Sequence, residues 1–188
     1  HADIYDEVLE KIVNITKNFQ VGDPFDPEVV IGPMINAAAC ERVMKMIDHA
    51  REQNAGTIIL GGNRCGGELA DKNFIEATII ADVDPDSEIA QIEVFGPVLV
   101  VMKFHDEDEA IRLANNTKYG LAAHIESNNL KRCHLLADKL KAGSVFINGG
   151  KMISPHNPFG GLGLSGFGKE GGRAGIDEFL RYKTVVIG

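Results

Sequence analysis

The chain has 188 residues, 44% hydrophobic and 24% charged, with a mean hydropathy of −0.05. That is an ordinary soluble composition with length enough for one sizeable core; no run approaches the roughly eighteen apolar residues of a membrane span. A formal net charge of −8 and a pI of 5.2, without a basic stripe, argue against a nucleic-acid or anionic-membrane surface.

The chain opens His1-Ala2-Asp3, with neither an initiator Met nor a charged leader, so its start reads as a cut, a tag remnant or a processed end. Apolar residues Ile4, Val8, Ile12 and Ile15 recur at helical spacing from Asp3 to Asn18. The breaker cluster Val21 to Pro27 and Gly32-Pro33 form a loop, after which Asn36 caps a second helix through Val43, Ile47 and Ala50 to about Gln53. Thr57 to Leu60 is a short strand closed by two glycines, and Thr78-Ile79-Ile80 centres another.

Glu93-Val94-Phe95-Gly96-Pro97 then stands before the apolar run that opens at Val98 and extends to Phe104, expected to be a strand buried on both faces. Asp106 starts a helix that ends at Asn115-Asn116. Leu121 to Ile125 is a strand, Asn129 to Lys141 a helix closed by Gly143, and Ser144 to Asn148 a further strand. This alternation predicts right-handed crossovers and a parallel sheet. A short helix near Ala174 to Leu180 and a last strand, Thr184 to Ile187, finish the chain. An unpaired apolar strand is a liability, so the last one is expected to pair with another chain.

Cys40, Cys65 and Cys133 form no CxxC pair and are odd in number, which points to a reducing, cytoplasmic setting. Cys40 and Cys133 fall within predicted helices as small hydrophobes, and Cys65 lies in a glycine loop without a nearby base. No metal-ligand spacing occurs among His124, His134 and His156. Gly166 to Gly171 fits GxGxxG as letters, but it follows no strand and lacks the later ribose-binding acid. Tight turns that let backbones approach closely are the better reading of these glycines. The Glu93–Pro97 turn has two readings: an exposed Glu at a plain strand entrance, or a carboxylate for ribose hydroxyls beside a ring for a planar heterocycle.

Five blocks occur in order: Val21-Gly22-Asp23-Pro24 with Gly32-Pro33; Glu93 to Pro97; Ala114 to Ala123; Ala142 to Asn148; and Pro158-Phe159-Gly160-Gly161 with Ser165 to Gly172. Together they closely resemble the C-terminal part of the aldehyde dehydrogenase superfamily, over essentially the whole chain. The resemblance implies an α/β fold with an open parallel twisted sheet and flanking helices. It makes residues 1–180 a portion of the catalytic domain and residues 181–188 an oligomerisation strand. It implies NAD or NADP as cofactor, an aldehyde as substrate and a homo-oligomer joined through the terminal strand.

In that family a Cys thiolate attacks the aldehyde, a hydride leaves for the nicotinamide, and a Glu activates the water that hydrolyses the thioester. By the resemblance, Glu93 would hydrogen-bond the nicotinamide-side ribose and Phe95 would pack near the nicotinamide end. Ile153 and Phe159 would line the aldehyde pocket, with core packing as the other reading of Phe159. The nucleophilic Cys and the Glu base match positions upstream of His1, so no catalytic residue is expected here and the chain alone should be inactive. Two alternatives stay open: a free-standing oligomerisation or binding module, and a piece of a CoA-acylating or semialdehyde dehydrogenase.

Overall fold

In the computed structural model, which describes residues 1–149 and 154–188, the backbone divides into two units, His1–Glu109 and Ala110–Gly188.

The first unit opens with a 3₁₀ turn, Ala2–Ile4, and helix α1, Tyr5–Thr16. Tyr5 is the buried residue of that helix, while Ile4, Val8 and Ile15 remain exposed. Two short strands, β1 (Gln20–Val21) and β2 (Val29–Ile31), pair in parallel. Helix α2, Ala37–Glu52, begins where the sequence places it: the Asn36 side chain accepts the Ala39 N–H at 2.8 Å. Its inner face carries Cys40, Val43, Met46, Ile47 and Ala50.

That face packs on a three-stranded sheet of β3 (Thr57–Leu60), β4 (Thr78–Ala81) and β5 (Val98–Val100), in the order β3-β4-β5. β4 and β5 are parallel, connected through the short helix α3, Glu88–Gln91. β3 runs antiparallel to β4. The link between them is a loop with one 3₁₀ turn, Gly67–Leu69, instead of a crossover helix, so the chain simply doubles back. All four residues of β4 are buried. The extended strand expected to Phe104 stops at Val100, and burial on both faces is not met: Leu99 is 45% exposed. Asp106 and Glu109 form a reciprocal cap: Asp106 Oδ1 accepts the Glu109 amide and Glu109 Oε2 accepts the His105 amide, both at 2.8 Å. They start helix α4, Glu107–Asn115.

The second unit holds the parallel pair β6 (Ala122–Ile125) and β7 (Ser144–Ile147), joined through helix α5, Leu130–Ala137. α5 stops before Lys141, and Gly143 is not its C′ residue. The Asn115 side chain explains the early stop, donating to the Lys139 carbonyl at 2.9 Å and accepting the Lys141 amide at 2.8 Å. Asn148, at φ +52°, terminates β7; its side chain accepts the Ser127 amide at 2.9 Å and donates to the Ser127 carbonyl at 3.0 Å. Helix α6, Gly172–Asp177, lies slightly earlier than expected. Thr184–Ile187 forms no strand pairing among the described residues.

Candidate functional site

The Glu93–Pro97 turn sits between α3 and β5 and is built from three fixed points. Val94 packs inward against both apolar clusters of the first unit. Its carbonyl accepts Arg42 Nη2 of α2 at 2.7 Å, and Arg42 Nη1 reaches the Met46 sulfur at 3.5 Å. Gly96 lies so close to α2 that a Cβ there would stand 2.9 Å from both γ-methyls of Val43. Pro97 then enters the sheet, its carbonyl accepting the Thr78 amide at 2.8 Å.

With Val94 held inward, its neighbours face out. Glu93 is exposed, and among the described residues its carboxylate has no hydrogen-bond or ion-pair partner. Phe95 adopts φ +49°, a left-handed conformation uncommon outside glycine, and its side chain is 72% exposed. A large apolar ring in a strained backbone and open to solvent costs stability, and such strain concentrates where a ligand is held. An unengaged carboxylate offers two oxygens for vicinal hydroxyls; the ring offers a flat face two residues on. The pair therefore fits the ribose and heterocycle that the motif suggests.

Phe159 belongs to the second unit. It is half-buried, and its backbone exchanges two 2.7 Å hydrogen bonds with Glu170. The ring joins Leu121, Phe167 and Phe179 in lining an open concavity of about 740 Å³. Ile153 lies outside the described residues.

The glycines around this concavity act by close approach. A Cβ on Gly143 would collide with the Gly160 carbonyl oxygen, and one on Gly160 with the Gly168 carbonyl. Lys169 Nζ donates to the Gly161 carbonyl at 2.8 Å, which leaves it bound to backbone instead of facing a phosphate. The packing reading holds for Gly160, Gly161, Gly163, Gly171 and Gly172, where a Cβ would meet backbone, while Gly166 and Gly168 have no such close neighbour.

The thiols are poor nucleophiles. Cys40 and Cys133 are fully buried. Burial pushes the Cys65 thiol above its ordinary value, and Glu76 and Cys40 push in the same direction. Little thiolate is present near neutrality. Among the described residues no three His, Cys, Asp or Glu side chains gather as a metal site. His124 instead stacks on Phe146 with ring centroids 5.0 Å apart.

A family model described as "Aldehyde dehydrogenase family" matches residues 1–185. The chain belongs to the aldehyde dehydrogenase family. It is 41% identical over 185 residues to the chloroplastic betaine aldehyde dehydrogenase of Beta vulgaris, and 41% identical to a peroxisomal aminoaldehyde dehydrogenase of Pisum sativum. In each case 98% of this chain is matched, against 37% and 36% of the relative. The chain therefore spans little more than a third of the length of these aldehyde dehydrogenases. Among solved structures, a betaine aldehyde dehydrogenase variant of Staphylococcus aureus in complex with NAD+ superposes with a TM-score of 0.91 at 36% identity, covering 96% of this chain and 37% of that one. The aldehyde dehydrogenase of Mycobacterium tuberculosis complexed with NAD+ gives a TM-score of 0.88 at 35% identity, covering 94% and 36%.

Arg42 carries no sequence signal as a site residue. It acts on the turn through a main-chain carbonyl 52 positions away.

Proposed function

We propose that this chain is the C-terminal portion of the catalytic domain of an NAD- or NADP-dependent aldehyde dehydrogenase, oxidising an aldehyde to a carboxylic acid. The observation that carries this reading is the Glu93–Phe95 turn: an unpartnered carboxylate and an exposed left-handed ring, side by side on an anchored loop in a chain of this family. Glu93 accepts the hydroxyls of the nicotinamide-side ribose, and Phe95 presents its face beside the ring. The bound nicotinamide supplies the hydride acceptor. Phe159, together with Ile153, contributes to the wall around the aldehyde.

The chain by itself is inactive in this reading. A thioester route needs an accessible thiolate; Cys40 and Cys133 are buried out of a substrate's reach, and burial holds the Cys65 thiol above its ordinary value. Residues 1–180 belong to the catalytic domain, and residues 181–188 are a strand that joins a second copy. Exposed Val185, Val186 and Ile187 support that role, since they expose an apolar edge with no ladder. Unpaired cysteines support a reducing compartment, the cytoplasm.

The test is Glu93→Gln in full-length protein. Carboxylate hydrogen bonds to hydroxyls are worth about 1.5–3 kcal/mol each, so NAD+ affinity or hydride transfer should fall at least tenfold while the folded fraction holds. Unchanged turnover and unchanged NAD+ affinity would count against the assignment. The isolated chain, assayed with aldehyde and NAD+, should give no NADH.

A further inference from the structure

We infer that Arg42 is a positioning residue for the cofactor contact, acting from helix α2 through the Val94 carbonyl. The inference rests on the reading of Glu93 and Phe95 given above. It starts from the way the turn is held. Val94 is the residue between the two ligand-facing side chains, and its peptide plane sets where both point. The Arg42 guanidinium donates to that carbonyl at 2.7 Å, and its other nitrogen is steadied by the Met46 sulfur at 3.5 Å. One residue along the helix, Val43 stands so close to Gly96, the residue after Phe95, that a Cβ there would lie 2.9 Å from both its γ-methyls. Helix α2 therefore grips the turn at two consecutive residues, one by a charge-assisted hydrogen bond and one by contact.

The grip has something to restrain. Phe95 stands at φ +49°, a conformation that persists only where the surroundings hold it. Releasing the Val94 carbonyl would let Phe95 relax toward the ordinary extended region and swing Glu93 with it. Val94 itself would stay packed, because its side chain is held by both apolar clusters. The consequence is selective: losing Arg42 disorders the presentation of Glu93 and Phe95 more than it disturbs the fold. Arg42 is exposed, so its removal opens no cavity. A lysine has one point donor where arginine has a fork, so it would hold the carbonyl without the sulfur brace.

The experiment compares Arg42→Met, Arg42→Lys, Glu93→Gln and the Arg42→Met/Glu93→Gln double variant in full-length protein, reading the NAD+ dissociation constant. Arg42→Met should weaken NAD+ by about three- to tenfold, as expected when one exposed hydrogen bond of ordinary net strength is lost behind the contact. Arg42→Lys should restore part of the loss. In the Glu93→Gln background, Arg42→Met should add little, because the group it positions is already disabled. Amide hydrogen exchange at Val98, whose N–H donates to the Gly96 carbonyl of the turn at 2.8 Å, should quicken in Arg42→Met, with Ile79 and Ile80 of β4 unaffected. An Arg42→Met variant with wild-type affinity, or one whose loss adds in full to that of Glu93→Gln, overturns the positioning role. If Glu93→Gln itself binds NAD+ normally, the cofactor reading fails instead, and quickened exchange at Val98 would still report on the grip.

Discussion

The two units of this chain are stabilised by different means. In the first, Val43, Ile47, Ile75 and Ile80 are at most 1% exposed and form an apolar interior between α2 and the sheet. In the second, Cys133 is the one buried hydrophobic residue among those described, while Leu130, Leu135, Leu162, Leu164 and Phe179 are all more than 40% exposed. Its order comes from polar crosslinks and bare backbone. The Gly120 carbonyl accepts the amides of Gly143 and Leu162, both at 2.9 Å, and the Asn115 and Asn148 side chains each bridge a backbone donor and acceptor. The first unit can stand on burial, which is long-range and tolerant of detail. The second depends on a few geometrically exact contacts, so single polar or glycine positions matter more there.

The sharpest break of that contrast is a truncation of one large aliphatic residue in each unit. Ile80→Ala should cost about 2–5 kcal/mol, as buried large-to-small changes do, in urea denaturation followed by circular dichroism. Leu135→Ala, at a residue 58% exposed, should stay within about 0.5 kcal/mol in the same assay. Equal losses would erase the distinction.

Gly143→Ala comes next. Its new methyl meets the Gly160 carbonyl, a backbone atom that cannot rotate away, and overpacking of this kind costs about 1–3 kcal/mol. Faster hydrogen exchange at the Gly143 and Leu162 amides, without change at Ile80, would place the damage in the second unit. Asn148→Ala removes two hydrogen bonds to Ser127 and leaves alanine at φ +52°, for a loss of about 1–2 kcal/mol seen as faster exchange at Ser127.

The smallest effect concerns pH in the first unit. Burial raises the Tyr5 phenol above its ordinary value, the Asp82 carboxylate adding to the rise and the Asp82 amide opposing it. The Asp82 carboxylate, 2.9 Å from Lys103 Nζ, raises that ammonium too. Both groups hold their protons more tightly when folded. Their stabilisation is therefore complete below about pH 10, the unfolded tyrosine value, and is lost as pH rises through the folded values. Tyr5→Phe should flatten part of the alkaline decline in the urea midpoint; an unchanged slope would discount the phenol.

These differences also explain what could be read from the sequence. The Asn36 and Asp106 helix starts were legible because a cap is a local hydrogen bond written in neighbouring letters. Glu93 and Phe95 stood out because they sit two residues apart on one turn. Three features were not local. The end of α5 is set by Asn115, more than twenty positions upstream of the Lys139 carbonyl it holds. The apolar run from Val98 to Phe104 suggested burial on both faces, but composition cannot say whether a chain supplies the cover for Leu99. The antiparallel β3 depended on a loop that doubles back without a helix, a choice that short apolar strands do not encode. Arg42 was hidden for the same reason: its partner is a carbonyl, which every residue has.

The Gly143–Gly160 contact also limits how this protein could be re-engineered. Two facing positions that accept only hydrogen are closed to mutation, so a library aimed at reshaping the concavity beside Phe159 would waste its variants there. Diversity has to enter through residues whose side chains already point outward, such as Phe167 at 98% exposure and Phe179 at 90%. Any reshaping of the concavity would come from the rim inward, with the glycine floor left untouched.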